Sequence, residues 1–197
     1  MRFCLLLFFV LLLQWNFGQY QDSIQHLRDS FSLEILSEQS DVLNSEEKNN
    51  IQSFDWFSIN KDYRVKAKFK VKKGKKFEIP TSSGRTKLYQ SRGYVVFELH
   101  QQKVKLYVYQ DVKLSQQEAY KDYLLLPFKD LTNGKETYGA GRYLDLKMPE
   151  KSTVILDFNL AYNPYCAYSH RYNCPIPPKE NHLQISIQAG EKNPIEK

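Results

Sequence analysis

No stretch of this chain is apolar for long enough to cross a bilayer: the run from Phe3 to Leu13 falls well short of the ~20 residues a spanning helix needs. There is no internal repeat and no low-complexity tract, so neither a repeat array nor a disordered linker is expected. Glycine is sparse, eight residues in 197. Neither "GRTKLY" nor "TYGAGRYLDL" follows the order of strand, glycine-rich loop and helix that cradles phosphate; their glycines read as bulges and turns. Cysteine is scarcer still, with Cys4, Cys166 and Cys174 alone. Cys4 precedes the apolar run instead of following it, which is the wrong order for a lipid anchor.

What is present begins with Arg2, the short apolar run and a polar "QWNFGQ", the pattern of a signal peptide over residues 1–19 with cleavage expected between Gly18 and Tyr20. The expectation is an exported protein, periplasmic or extracellular and soluble, with no membrane span. Losing Arg2 takes the 28 basic residues to 27 against 22 acidic ones, a net charge of +5 in place of +6. The remainder suffices for one globular domain. Cys166 and Cys174 then form an even pair in an oxidising compartment, most simply a disulfide.

From Tyr20 to Ser40, Ile24, Leu27, Phe31 and Ile35 recur at helical spacing, and Ser45 is placed to cap a second, short helix. Residues 20–50 are therefore expected to be a helical segment. From Tyr63 the period changes to two, with Val65, Ala67, Phe69 and Val71 alternating with basic residues. Further strands are expected at 76–80, 85–90, 93–100, 103–110, 153–158 and 183–189, with "LLLPF" and "RYLDL" flanking an Asn133-Gly134 hairpin turn. Roughly nine short strands in residues 51–193 predict a mainly β fold, a single-domain antiparallel β-sandwich or partly open barrel, with a loose tail at 194–197. The lysines and Arg64 of the first strand read as a solvated face that would also guard a sheet edge, with an anionic surface as the functional alternative. Nucleic acid is not an expected partner.

Two carboxylates, Asp145 and Asp157, lie in apolar strands where an unpaired charge is costly; Arg142, Asn159 and Asn163 are the partners at hand. Brought together in a cleft, they would divide acid and base roles. "AYNPYCAYSHRYNCP" (161–175) has three readings. A Cys166–Cys174 disulfide would close a loop worth roughly 2.6 kcal/mol. Cys166, His170 and Cys174 with Glu180 or His182 would make a metal site of unusual spacing. A cysteine paired with His170 or His182 would be a nucleophile only if kept reduced.

"LLPFKDLTNGKETYGAGRYLDL" (125–146), "LDFNLAYNPYCAYSHRYNCPIPPKENHL" (156–183) and "IQAGEK" (187–192) resemble the bacterial and archaeal domain of unknown function (DUF) 1684 family, with weaker similarity from "SFDWF" onward. The resemblance implies no activity. Its signature falls on Thr137, Tyr138, Gly141, Arg142, Tyr143, Asp145, Asp157 to Asn159, Tyr162 to Pro164, Cys166, Cys174, Pro175, Pro177, Pro178, Glu180, Asn181 and Ala189 to Lys192. His170 is outside it, and Leu160 stands where many relatives have arginine. Because family members without an export signal carry the same cysteine pair, the resemblance raises the metal and thiol readings above what this chain alone supports.

Together these point to recognition of a small polar or saccharide-like ligand, or of an envelope component. Tyr143 and Tyr162 are the expected stacking surfaces, and Arg142, Asp157, Asn159, Asn163, Glu180 and Asn181 the expected hydrogen-bonding groups. No cofactor is implied. The alternatives are a hydrolase using Asp145, Asp157 or Glu180, or a structural or metal-binding domain built on the cysteine pair.

Overall fold

Alternation along residues 64–71 sets up the sheet: Val65, Ala67 and Phe69 point inward while Arg64, Lys66, Lys68 and Lys70 stay in solvent. The computed structural model describes residues 2–196; Met1 of the expected signal peptide and Lys197 of the expected tail lie outside them. The chain divides into two units, residues 1–41 and 42–197. The first holds one helix, α1 (Arg2–Leu36), so the expected leader and the expected amphipathic helix form a single unbroken element. Among the described residues no helix is long and apolar enough to cross a membrane.

The second unit opens with α2 (Ser45–Asn50). Its cap is Asn44 and not Ser45: the Asn44 side chain accepts from the Glu47 amide while Glu47 accepts from the Asn44 amide. Strands follow at β1 (Ile51–Ser53), β2 (Arg64–Val71), β3 (Lys76–Pro80), β4 (Thr86–Leu99), β5 (Gln102–Asp111), β6 (Tyr123–Phe128), β7 (Arg142–Lys147), β8 (Thr153–Asp157) and β9 (Ile195–Glu196). Seven of them form one antiparallel sheet curled into a half-barrel, in the order β7-β6-β5-β4-β2-β8 with β3 added beside β4. Of the two architectures expected, the partly open barrel is the one adopted. The chain after β8 reaches back to β7 through the Tyr143/Tyr162 bridge.

Several boundaries differ from the sequence expectation, each for an identifiable reason. "SRG" does not end a strand; it is a bulge within β4 between Ser91 and Gly93. A Cβ on Gly93 (φ +154°) would stand 2.2 Å from the Lys70 carbonyl oxygen, so only glycine lets β2 lie this close. β2 is not an edge, since β4 and β8 flank it, and its cations therefore do not guard one. Asn133-Gly134 is not a two-residue hairpin but part of the 129–141 loop between β6 and β7. Ile195–Glu196 pairs with β1, so the tail is not loose there.

The main core gathers Val65, Phe69, Phe97, Leu106, Leu126, Phe128, Leu156 and Phe158 on one face of the sheet. A second, tyrosine-rich cluster of Ile79, Tyr89, Tyr109, Leu125 and Tyr143 lies apart from it. β6 contributes to both, which explains its unbroken apolar run.

Candidate functional site

Residues 183–189 send Leu183, Ile185, Ile187 and Ala189 into the core with the expected alternation, yet they form no strand. Their main chain meets that of Lys129 and Leu131 at two hydrogen bonds, Leu183 amide to Lys129 carbonyl and Leu131 amide to Ile185 carbonyl, and beyond Ile185 it is held by side chains. Arg142, fully buried, donates to the carbonyls of Ile187, Ala189 and Glu191 and, at 2.8 Å, to Asp130 Oδ2. Asp130 Oδ1 accepts from the Thr132 amide and hydroxyl and from the Ile187 amide at 3.4 Å. Burial works against the guanidinium charge, and Asp130 sustains it. Gly190 completes the latch: at φ +83°, its missing Cβ lets the segment lie on the Phe158 and Ala161 carbonyls, which a Cβ would meet at 2.7 and 2.5 Å.

Asn163 belongs to the same network. Its amide donates to Glu191 Oε2 at 2.7 Å, and its side chain donates to the Lys192 carbonyl at 2.6 Å. Tyr168 donates to the other Glu191 oxygen. Burial raises the Glu191 carboxyl to about 8, despite the Asn163 hydrogen bonds and the Arg142 charge. Asn159 and Asn181, both 0% exposed, act as short pieces of strand. Asn159 exchanges two hydrogen bonds with the Asn60 main chain, at 2.9 and 2.8 Å. Asn181 does the same with Tyr107, at 2.8 and 2.8 Å, and also donates to the Pro127 carbonyl. β5 and β6 pair only at Tyr109 and Leu125, and the Asn181 amide fills the place where they splay. Four of the expected ligand-binding residues, Arg142, Asn159, Asn163 and Asn181, thus spend most of their polar atoms inside the protein; among the described residues, Arg142 Nε and Asn163 Oδ1 are the buried side-chain polar atoms without a hydrogen-bond partner.

The carboxylates stand apart. Asp145 accepts from the Tyr123 and Tyr162 hydroxyls, at 2.7 and 2.6 Å. Asp157 caps the turn at 158–160, accepts from Asn159 and faces Arg64 at 3.6 Å. β7 and β8 are the two ends of the sheet order, and none of the hydrogen-bond partners just named is common to both carboxylates. Tyr143 is buried, donates to the Pro175 carbonyl and meets Tyr162 edge to face, with ring centroids 5.9 Å apart.

Glu180 opens onto a cavity. Tyr109 donates to its Oε1 at 2.9 Å, and burial with that carboxylate pushes the phenol well above its ordinary value. The cavity, about 290 Å³, is lined by Glu180, Lys72, Gly74, Phe77, Ser91, Tyr107 and Tyr109. Phe77 and Tyr109 meet edge to face at 5.7 Å. Of the expected ligand-binding residues, Glu180 lies here. Tyr107 and Tyr109 were legible as an aromatic pair two apart on one strand, which puts both on the same face. Lys72 was legible as one of the basic residues of the first strand and its turn, and Phe77 as part of the strand expected at 76–80, but neither pattern pointed to a shared cavity.

Cys166 and Cys174 are both free thiols, half-buried, and not the expected disulfide. The Cys166 amide donates to the Cys174 sulfur at 3.3 Å, and the Tyr138 hydroxyl points to the Cys166 sulfur at 3.8 Å. His170 does not join them; it lines a separate cavity of about 460 Å³ with Glu46, Glu47 and Tyr168. Among the described residues no group of three or more His, Cys, Asp or Glu side chains is arranged to hold a metal ion, so the Cys166, His170, Cys174 triad is not assembled.

A family model described as "Protein of unknown function (DUF1684)" matches residues 49–192. The chain is also similar to the uncharacterized protein from gene locus rrnAC0354 of Haloarcula marismortui, known from a solution NMR structure. Identity is 29%, 90% of this chain and 96% of that one are covered, and the TM-score is 0.66. No curated protein matches.

Proposed function

We propose, for a chain that belongs to the DUF1684 family, an exported binding domain whose ligand is small and polar, of saccharide type, or part of the cell envelope. The observation that carries this is the cavity formed by Phe77, Tyr107, Tyr109, Lys72 and Glu180. Aromatic faces take the apolar side of a sugar ring, and a carboxylate held by a phenol accepts its hydroxyls; few but well-placed polar groups in an aromatic pocket are the usual make-up of such sites. The outward face of the sheet adjoins it. Lys105 lies 4.8 Å from the Tyr94 ring centroid and 4.5 Å from that of Tyr107, which also lines the cavity. Lys66, Lys68 and Lys70 extend the positive surface, which favours an anionic saccharide or envelope polymer over a neutral one. Export rests on the sequence from Arg2 to Leu13, and cell fractionation tests it separately.

The binding test is a panel of neutral and uronic-acid oligosaccharides and envelope fragments, titrated by calorimetry. A ligand should lose about tenfold or more in affinity on Glu180→Gln and on Tyr107→Ala, the loss of one charge-assisted hydrogen bond or one stacking face, with the melting temperature unchanged. Binding indifferent to both substitutions, or no binding across the panel, would overturn the assignment.

A further inference from the structure

Cys174 and Cys166 are held opposite one another by separate parts of the fold. Cys174 is fastened to the end of β3: its carbonyl accepts from the Ser82 amide at 2.9 Å, its amide donates to Ser82 Oγ at 3.2 Å, and Ile176 donates to the Pro80 carbonyl at 2.8 Å. Cys166 sits in the turn Tyr165–Ala167, where its carbonyl accepts from the Tyr138 hydroxyl at 3.3 Å. The Cys166 amide reaching the Cys174 sulfur at 3.3 Å shows that the two residues meet, and both side chains are open enough to solvent to be reached.

We propose that Cys166 and Cys174 form a reversible thiol–disulfide exchange site, with Cys166 as the attacking sulfur and Cys174 as the resolving one. Cys166 thiolate attacks one sulfur of a small disulfide such as oxidised glutathione; that S–S bond breaks, one thiolate leaves and a mixed disulfide stands on Cys166. Cys174 gives its proton to solvent and attacks the Cys166 sulfur, releasing the second thiolate. Two protein thiols are oxidised and one small disulfide is reduced to two thiols. The order follows from the surroundings. Hydrogen bonds from the Cys174 thiol and from the Ser82 and Tyr138 hydroxyls pull Cys166 down to about 6, whereas donating to Cys166 and burial push Cys174 up. A pair that must pivot to bond, in a half-open loop, makes a disulfide that is more easily exchanged than a buried staple.

The test uses the full chain with Cys4→Ser, so that two thiols report, treated with oxidised glutathione and followed by intact mass and peptide mapping. The parent should end two hydrogens lighter with no glutathione retained. Cys174→Ser should keep one glutathionyl group, on Cys166, and Cys166→Ser should react about tenfold more slowly or worse. Retained glutathione on the parent, a first adduct on Cys174, or two thiols inert in the folded chain would each overturn the proposal. Should a serine variant fold poorly, brief iodoacetamide treatment of the parent at pH 7 decides the order: alkylation should fall on Cys166, and equal or preferential labelling of Cys174 refutes it.

Discussion

Replacing Arg142 with Met removes a guanidinium that reaches Asp130 and three main-chain carbonyls from a position with no solvent exposure. Asp130 would be left as an uncompensated charge, itself 0% exposed at the side chain. Breaking a buried pair in this one-sided way costs about 3–5 kcal/mol, a large share of the ~5–15 kcal/mol by which domains of this kind are stable. At about 2–4 °C per kcal/mol for a chain of this size, the melting temperature should fall by roughly 6–20 °C. Arg142→Lys should recover little, because one ammonium cannot span acceptors that a planar fork reaches together. The assay is thermal and urea unfolding by circular dichroism at pH 7. The loss should persist in high salt, since a pair sealed from solvent is weakly screened. A loss below about 1 kcal/mol, or one that vanishes at high salt, would refute the claim that this guanidinium holds the 187–191 segment in a dry interior.

Glu191 sets a pH dependence. Its carboxyl titrates at about 8 in the folded chain, above the ordinary carboxylate value that it regains on unfolding, so between the two the folded state holds the extra proton. Stability should therefore decline as pH rises from the ordinary carboxylate value toward 8; Glu191→Gln should flatten that decline, and an unchanged slope would count against a buried neutral acid. Gly93→Ala should cost more than about 1 kcal/mol, because β2 must retreat from the new Cβ; near-normal urea stability would mean the bulge is not under this constraint. Loss of binding on Glu180→Gln and trapping of glutathione on Cys166, set out above, test the cavity and the thiol pair.

The alternation over residues 64–71 and the apolar run of β6 were readable because side-chain period and burial are local properties. The family signature was readable for the same reason, as words in the chain. What those polar words do was not. Arg142, Asn159, Asn163 and Asn181 look like ligand-binding groups in one dimension, yet each satisfies main-chain groups far away in sequence, such as Asn159 with Asn60 and Asn181 with Tyr107. An apolar alternation at 183–189 predicted the faces correctly but not the absence of a ladder, since a buried arginine took the carbonyls. The cavity at Glu180 is likewise a product of tertiary structure, lined by Phe77 of β3, Ser91 at the β4 bulge and Tyr107 and Tyr109 of β5. Periodicity is written along the chain; the partner of a buried polar group is chosen by whichever distant group the folded sheet delivers to it.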